Sequence, residues 1–123
     1  MDQPLALQRI AALLESCPLP VSSEANLHQA IAQALRGESV EFSREVTLSE
    51  KDRIDFMCGS IGIEAKIGGS YVAVASQVLR YLESDMVSGL IIVTNKASHR
   101  QLHGLVSEQG KPVHCCFIGF YGI

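Results

Sequence analysis

The sequence predicts an α/β (α+β) fold, a mixed β-sheet flanked by helices in the order α-α-β-β-β-α-β-α-β. Three observations carry this. The first part of the chain spaces its apolar residues as helices do. The middle, from VEFSREVTL through RIDFMCGSIGIEAK, alternates and turns as a strand followed by a hairpin. The later GLIIVTN is a continuous apolar run, the pattern of a strand covered on both faces.

Taken in order, residues 5–14 have helical spacing through Leu5, Ile10, Leu13 and Leu14, and Pro18 and Pro20 stop the helix. A second helix starts at Ser22 or Ser23, either a good N-cap, and ends at Gly37. Its apolar stripe is Leu27, Ile31, Ala34 and Leu35. The alternation then puts Val40, Phe42, Val46 and Leu48 on one face of the first strand. Residues 53–57 and 61–67 form the hairpin strands around CGSIG. Gly68, Gly69 and Ser70 lead into a helix over 71–84, with Val72, Ala75, Leu79 and Leu82 as its core stripe. After GLIIVTN, residues 98–107 read as a short helix and 113–121 as a last strand.

At 123 residues the chain suits a single domain, 1–123, with 1–20 a helical extension and 22–95 the motif-bearing region. No stretch approaches the roughly 18 apolar residues of a membrane span. The N-terminus lacks the basic and uninterrupted apolar regions of a signal peptide, so a cytoplasmic protein is expected. The four cysteines, Cys17, Cys58, Cys115 and Cys116, show no C-x-x-C spacing, and adjacent Cys115 and Cys116 face opposite ways on a strand. Reduced structural thiols are expected. A net charge of −3 gives no global attraction for nucleic acid, so any phosphate binding must be local.

The hairpin raises the functional question, because Asp55, Glu64 and Lys66 sit inside runs that otherwise read as buried. Glu64 and Lys66 are two apart and share one face, while Ile63 and Ala65 take the other. Asp55, on the paired strand, can reach the same region. Two carboxylates converging this way repel unless a cation lies between them, and Mg²⁺ or Mn²⁺ suits such oxygen donors. A lysine beside that ion can orient or deprotonate a water, or offset charge on a phosphate. The competing reading is a cross-strand salt bridge on a solvated face. Glu24, seven residues before Ile31, falls on the buried stripe of its helix, or else simply meets the helix dipole in the first turn. Gln77 and Tyr81, one turn apart, share a flank of the next helix with Val74, and a glutamine there can hold a phosphate oxygen or the lysine, though a solvent-facing glutamine is as ordinary.

These stretches together, SSEANLHQAIAQAL, EFSREVTL, RIDF, IGIEAKIGG, VASQVLRYL and LIIVTN, resemble the restriction-endonuclease-like superfamily, the PD-(D/E)XK nucleases, over residues 22–95. The resemblance implies a restriction-endonuclease-like α-β-β-β-α-β core and metal-dependent phosphodiester cleavage leaving a 5′-phosphate. It implies Asp55, Glu64, the Ala65 backbone carbonyl and Glu24 as metal ligands. It makes Lys66 the catalytic lysine and Gln77 the polar residue that some branches carry on the next helix. Gln77, Tyr81 and Arg80 are the candidates for substrate contact. Ile54 stands where the motif's name has proline.

Other candidates are weaker. His99 and His103 are spaced for one helix face but lack a third ligand and read as surface residues. His28, one turn after Glu24, can touch the hairpin site. Arg44, Arg53, Arg80 and Arg100 are candidates for phosphate contact. The function expected is a nuclease, on DNA in the first instance, acting as a homo-oligomer and most simply a dimer. The alternative is a protein that keeps the fold without catalysis, as a DNA- or protein-binding assembly module.

Overall fold

The sequence's hydrophobic periods resolve into one five-stranded sheet with helices on both faces. The computed structural model describes residues 3–118, with side chains from residue 6 onward. The order is α1 (Gln3–Ser16), α2 (Glu24–Gly37), β1 (Ser43–Thr47), β2 (Arg53–Cys58), β3 (Ile61–Lys66), α3 (Tyr71–Leu82) and β4 (Gly89–Thr94). A 3₁₀ helix (Ala97–Leu102) and β5 (Val113–Phe117) follow. The strands lie side by side in sequence order, β1-β2-β3-β4-β5. β1–β2 and β2–β3 are antiparallel, β3–β4 and β4–β5 parallel, so the sheet is mixed and open. Parallel neighbours need a crossover, supplied by α3 and by the segment containing the 3₁₀ helix. No helix among the described residues is long and apolar enough to cross a membrane.

Two cores flank the sheet. On one side α1 and α2 bring Leu14, Leu27, Ile31 and Leu35 against Phe56, Ile61, Ile63, Ile91 and Val93. On the other, α3 brings Val74, Val78, Tyr81 and Leu82 against Ile54, Leu90 and Ile92. All six residues of β4 are buried, as its continuous apolar run requires. Ser23 caps α2, its hydroxyl accepting from Asn26 N–H at 3.0 Å, and Ser70 caps α3 through Ala73 N–H at 3.2 Å. The β2–β3 turn has two residues, with Gly59 at φ 60°, a conformation that glycine takes without strain.

Several expectations are corrected. The buried face of α3 is not Val72, Ala75, Leu79 and Leu82: Val72 is 74% and Leu79 53% exposed, and Val74, Val78 and Tyr81 are buried instead. Both rows have helical spacing. The one that docks carries the large Tyr81 ring, whose hydroxyl finds an acceptor in the Arg53 carbonyl at 3.1 Å. Along residues 40–48, of which Ser43–Thr47 forms β1, the four apolar residues do not share a face. Val40 and Phe42 pack with the α1/α2 core, Val46 and Leu48 with the α3 core. Glu45 lies between them at φ 55°, where the alternation is broken. In α2, Ala32 is buried and Ala34 only half-buried. The helix expected over 98–107 is the shorter 3₁₀ helix, and the chain beyond it turns at Gly104 and Gly110, with φ 85° and 81°. The Leu5 side chain and the last strand's continuation over 119–121 lie outside the described residues.

His99 is not a surface histidine. It is fully buried, its Nδ1 is 2.6 Å from Thr94 Oγ1, and its Nε2 is 3.0 Å from the Gly69 carbonyl. It therefore ties the end of β4 to the loop that launches α3. Gly68 N–H donates to Asn95 Oδ1 at 2.9 Å across the same junction. His99→Ala should cost about 2–4 kcal/mol in urea unfolding, because it leaves two polar groups unpaired and opens a cavity. A loss below about 0.5 kcal/mol would remove this junction as a support of the fold.

Candidate functional site

The β2–β3 ladder pairs Cys58 with Ile61, Met57 with Gly62 and Phe56 with Ile63, and stops there. On its other side β3 stays paired with β4 as far as Lys66 and Thr94. The hairpin therefore opens where Asp55 and Glu64 would face each other, and their side chains bridge the gap. Glu64 Oε1 accepts from Asp55 N–H at 3.1 Å, and Asp55 Oδ2 accepts from Ala65 N–H at 2.9 Å. Each carboxylate thus holds the other strand's backbone in a charge-assisted hydrogen bond. Across the opening β2 also changes sides, with Ile54 against α3 and Phe56 against α1 and α2.

The shared face expected for Glu64 and Lys66 is present: Lys66 Nζ lies 3.3 Å from Glu64 Oε2, and Ile63 and Ala65 enter the opposite core. Glu64 is only 4% exposed. Burial first, and then the Asp55 charge, push its carboxyl up to about 7, against the opposing effect of Lys66. Burial also raises Asp55, and Glu24 adds to that, while the Ala65 N–H, His28 and Lys66 pull the other way. From α2, His28 Nε2 lies 3.1 Å from Asp55 Oδ2. It is within ion-pair distance but off the hydrogen-bonding line, so this buried nitrogen makes no hydrogen bond.

Glu24 is exposed rather than on the buried stripe, because the first residue of α2 projects beyond the end of the core. It still reaches the hairpin, with Oε2 accepting from Ile67 N–H at 3.4 Å. Gln77 and Tyr81 do come together, Nε2 donating to the Tyr81 hydroxyl at 2.7 Å. Tyr81 is 1% exposed, and burial together with the Glu64 and Asp55 charges raises its phenol above the ordinary range. It stands as a buried brace between α3 and β2, and Gln77 is bound to it rather than to Lys66. Arg80 donates to Asp52 Oδ1 at 3.0 Å and to Ser76. The other arginines are engaged too, Arg44 over Phe56, Arg100 over Phe117 and Arg53 with Glu45.

The arrangement can gather oxygen donors from two parted strands and set an ammonium beside them. It can also leave one carboxyl protonated near neutral pH. No family model, no curated protein and no solved structure matches the chain.

Proposed function

We propose that the chain is a metal-dependent nuclease of the restriction-endonuclease-like, PD-(D/E)XK type, hydrolysing phosphodiester bonds of nucleic acid, with DNA the first substrate to test. The observation that carries it is the parted hairpin, where Asp55 and Glu64 converge and Lys66 stands on the Glu64 face. The element order from α2 to β4 is the α-β-β-β-α-β order that this reading requires.

The donors suit Mg²⁺ or Mn²⁺. Asp55 and Glu64 are hard oxygen ligands, the Ala65 carbonyl and Glu24 lie beside them, and a cation would offset the burial and mutual repulsion that raise the two carboxyl groups. Their hydrogen bonds use one lone pair of oxygens that have two, so acceptor capacity remains. Bound there, the ion would supply Lewis acidity, lowering the pKa of a water and offsetting charge on the phosphate. Lys66 keeps an ammonium at the same face, able to orient the attacking water or to offset charge on the phosphate. Asp55 and Glu64 fix the spread of the two strands, so the donors stay on rigid backbone. Gln77 acts through Tyr81, which props β2 at the Arg53 carbonyl. Action as a homodimer, with two sites for two strands, belongs to the same proposal. So does a cytoplasmic setting, in keeping with four free cysteines.

The test is a cleavage assay with Mg²⁺ or Mn²⁺ on supercoiled plasmid, linear duplex, single-stranded circle, branched junction and RNA. Cutting that needs the metal is the expected result. Metal binding with every substrate left intact would instead favour an assembly module that has kept the fold.

A further inference from the structure

At the opposite edge of the sheet from β1, α1 crosses β5. We propose that Glu15, His114 and Cys116 form a binding site for a zinc-class transition-metal ion that pins α1 to this edge strand. The three donor atoms all lie within 4.8 Å of one another. His114 and Cys116 are two apart on β5 and so share a face, and Glu15 comes down from the last turn of α1. His114 Nε2 and Glu15 Oε2 are 3.0 Å apart, and the fully buried Cys116 lies with them. The thiol's own hydrogen bond is a weak one, to the Ala11 carbonyl at 3.9 Å.

The donor set selects the ion. Sulfur, imidazole nitrogen and a carboxylate oxygen suit Zn²⁺ and its neighbours, whereas Mg²⁺ takes oxygen and does not seek a thiolate. A thiolate and a carboxylate together neutralise a divalent charge, which matters at a site floored by apolar residues. His103 is not a fourth ligand. Its Nδ1 accepts from Cys115 N–H at 2.9 Å, so the neutral ring carries its proton on Nε2 and has no lone pair to give. It packs edge-to-face on His114, ring centres 4.5 Å apart, and holds that ring in place. Glu15 and His114 line an open cleft together with Arg100, His103, Cys115 and Phe117, and Arg100 is already stacked on the Phe117 ring there.

Binding is balanced simply. The Cys116 S–H bond breaks, a sulfur–metal bond forms, and one proton leaves to solvent. Burial and the Glu15 charge hold the free thiol protonated, so it is the metal that displaces the proton. Nothing is oxidised or reduced.

Co²⁺, which reports thiolate ligation by its charge-transfer absorption, is the probe. The full chain, kept reduced, is titrated with Co²⁺ and then with Zn²⁺. Expected are one thiolate-bound Co²⁺ per chain, loss of its band on adding Zn²⁺, and a rise in melting temperature with Zn²⁺. Cys116→Ser should abolish the band, and His114→Ala and Glu15→Gln should each weaken binding about ten-fold or more. If Cys116→Ser does not fold, the other two decide, because Glu15 is exposed and His114 partly so. Absence of the band at stoichiometric Co²⁺, its survival in Cys116→Ser, or unchanged affinity in both other variants overturns the site. Co²⁺ taken up by the hairpin carboxylates would bind without a thiolate band and is thereby distinguished.

Discussion

Asp55→Asn and Glu64→Gln should each lower metal-dependent cleavage by at least about 10³-fold and weaken Mn²⁺ binding with it. Lys66→Ala should lower cleavage by about 10²–10⁴-fold while leaving metal binding intact or tighter. The asymmetry follows from geometry. Asp55 and Glu64 would be the donors themselves, and each also anchors the opposite strand through a backbone N–H. Lys66, by contrast, lies 3.3 Å from Glu64 and competes with a cation for it. Removing the ammonium frees a carboxylate oxygen and takes away the charge that acts on water or phosphate. Arg80→Ala gives the contrast, since that guanidinium is tied to Asp52 and should change cleavage less than about three-fold. Calorimetric Mn²⁺ titration beside the cleavage assay separates the two effects. Equal activity in the Asp55, Glu64 and Lys66 variants would end the nuclease proposal, and so would full activity in Lys66→Ala alone.

Much of this was legible before any coordinates, for a physical reason. Period-two alternation fixes which residues share a strand face, so Glu64 and Lys66 were placed together correctly. The apolar run LIIV within GLIIVTN announced a strand with helices on both sides, and β4 is that strand. What failed was the choice between equivalent rows. Residues 72, 75, 79 and 82 and residues 74, 78, 81 and 82 are both helical rows, and spacing does not rank them. The outcome rests on a tertiary contact, the Tyr81 hydroxyl on the Arg53 carbonyl. Likewise nothing in the alternation of VEFSREVTL reveals that Glu45 takes a left-handed conformation and sends Val46 to the other core. His99 needed two partners from two loops, and Glu15 and His114 are 99 residues apart. Contacts of that kind leave no local pattern. The opening of the hairpin at Asp55 and Glu64 lies between these cases: the charges were visible, the parted ladder was not.

Metal-free protein should become less stable as pH rises from about 4.5 to about 7, by about 2–3 kcal/mol from Glu64 alone. The carboxyl moves from 4.5 in the unfolded chain to about 7 in the fold. Between those values the folded state holds a proton that the unfolded state has released. Stability therefore falls with rising pH across that window and levels off above it, the reverse of a carboxylate whose pKa folding lowers. Asp55 is raised as well and acts in the same direction. Glu64→Gln imitates the protonated acid and can still accept from Asp55 N–H. It should flatten the curve and, at pH 8 without metal, melt about 5–10 °C above the parent. Mg²⁺ at pH 8 should then stabilise the parent and not the variant, because the ion needs the ionised carboxylate that folding disfavours. Other groups titrate in the same range, so the quantity to read is the difference between parent and variant melting temperatures from pH 4 to 8. A flat difference would mean that Glu64 titrates normally and carries no strain. A difference that grows with pH and closes on adding Mg²⁺ would mean that the fold stores, at this one carboxylate, the repulsion that a bound cation relieves.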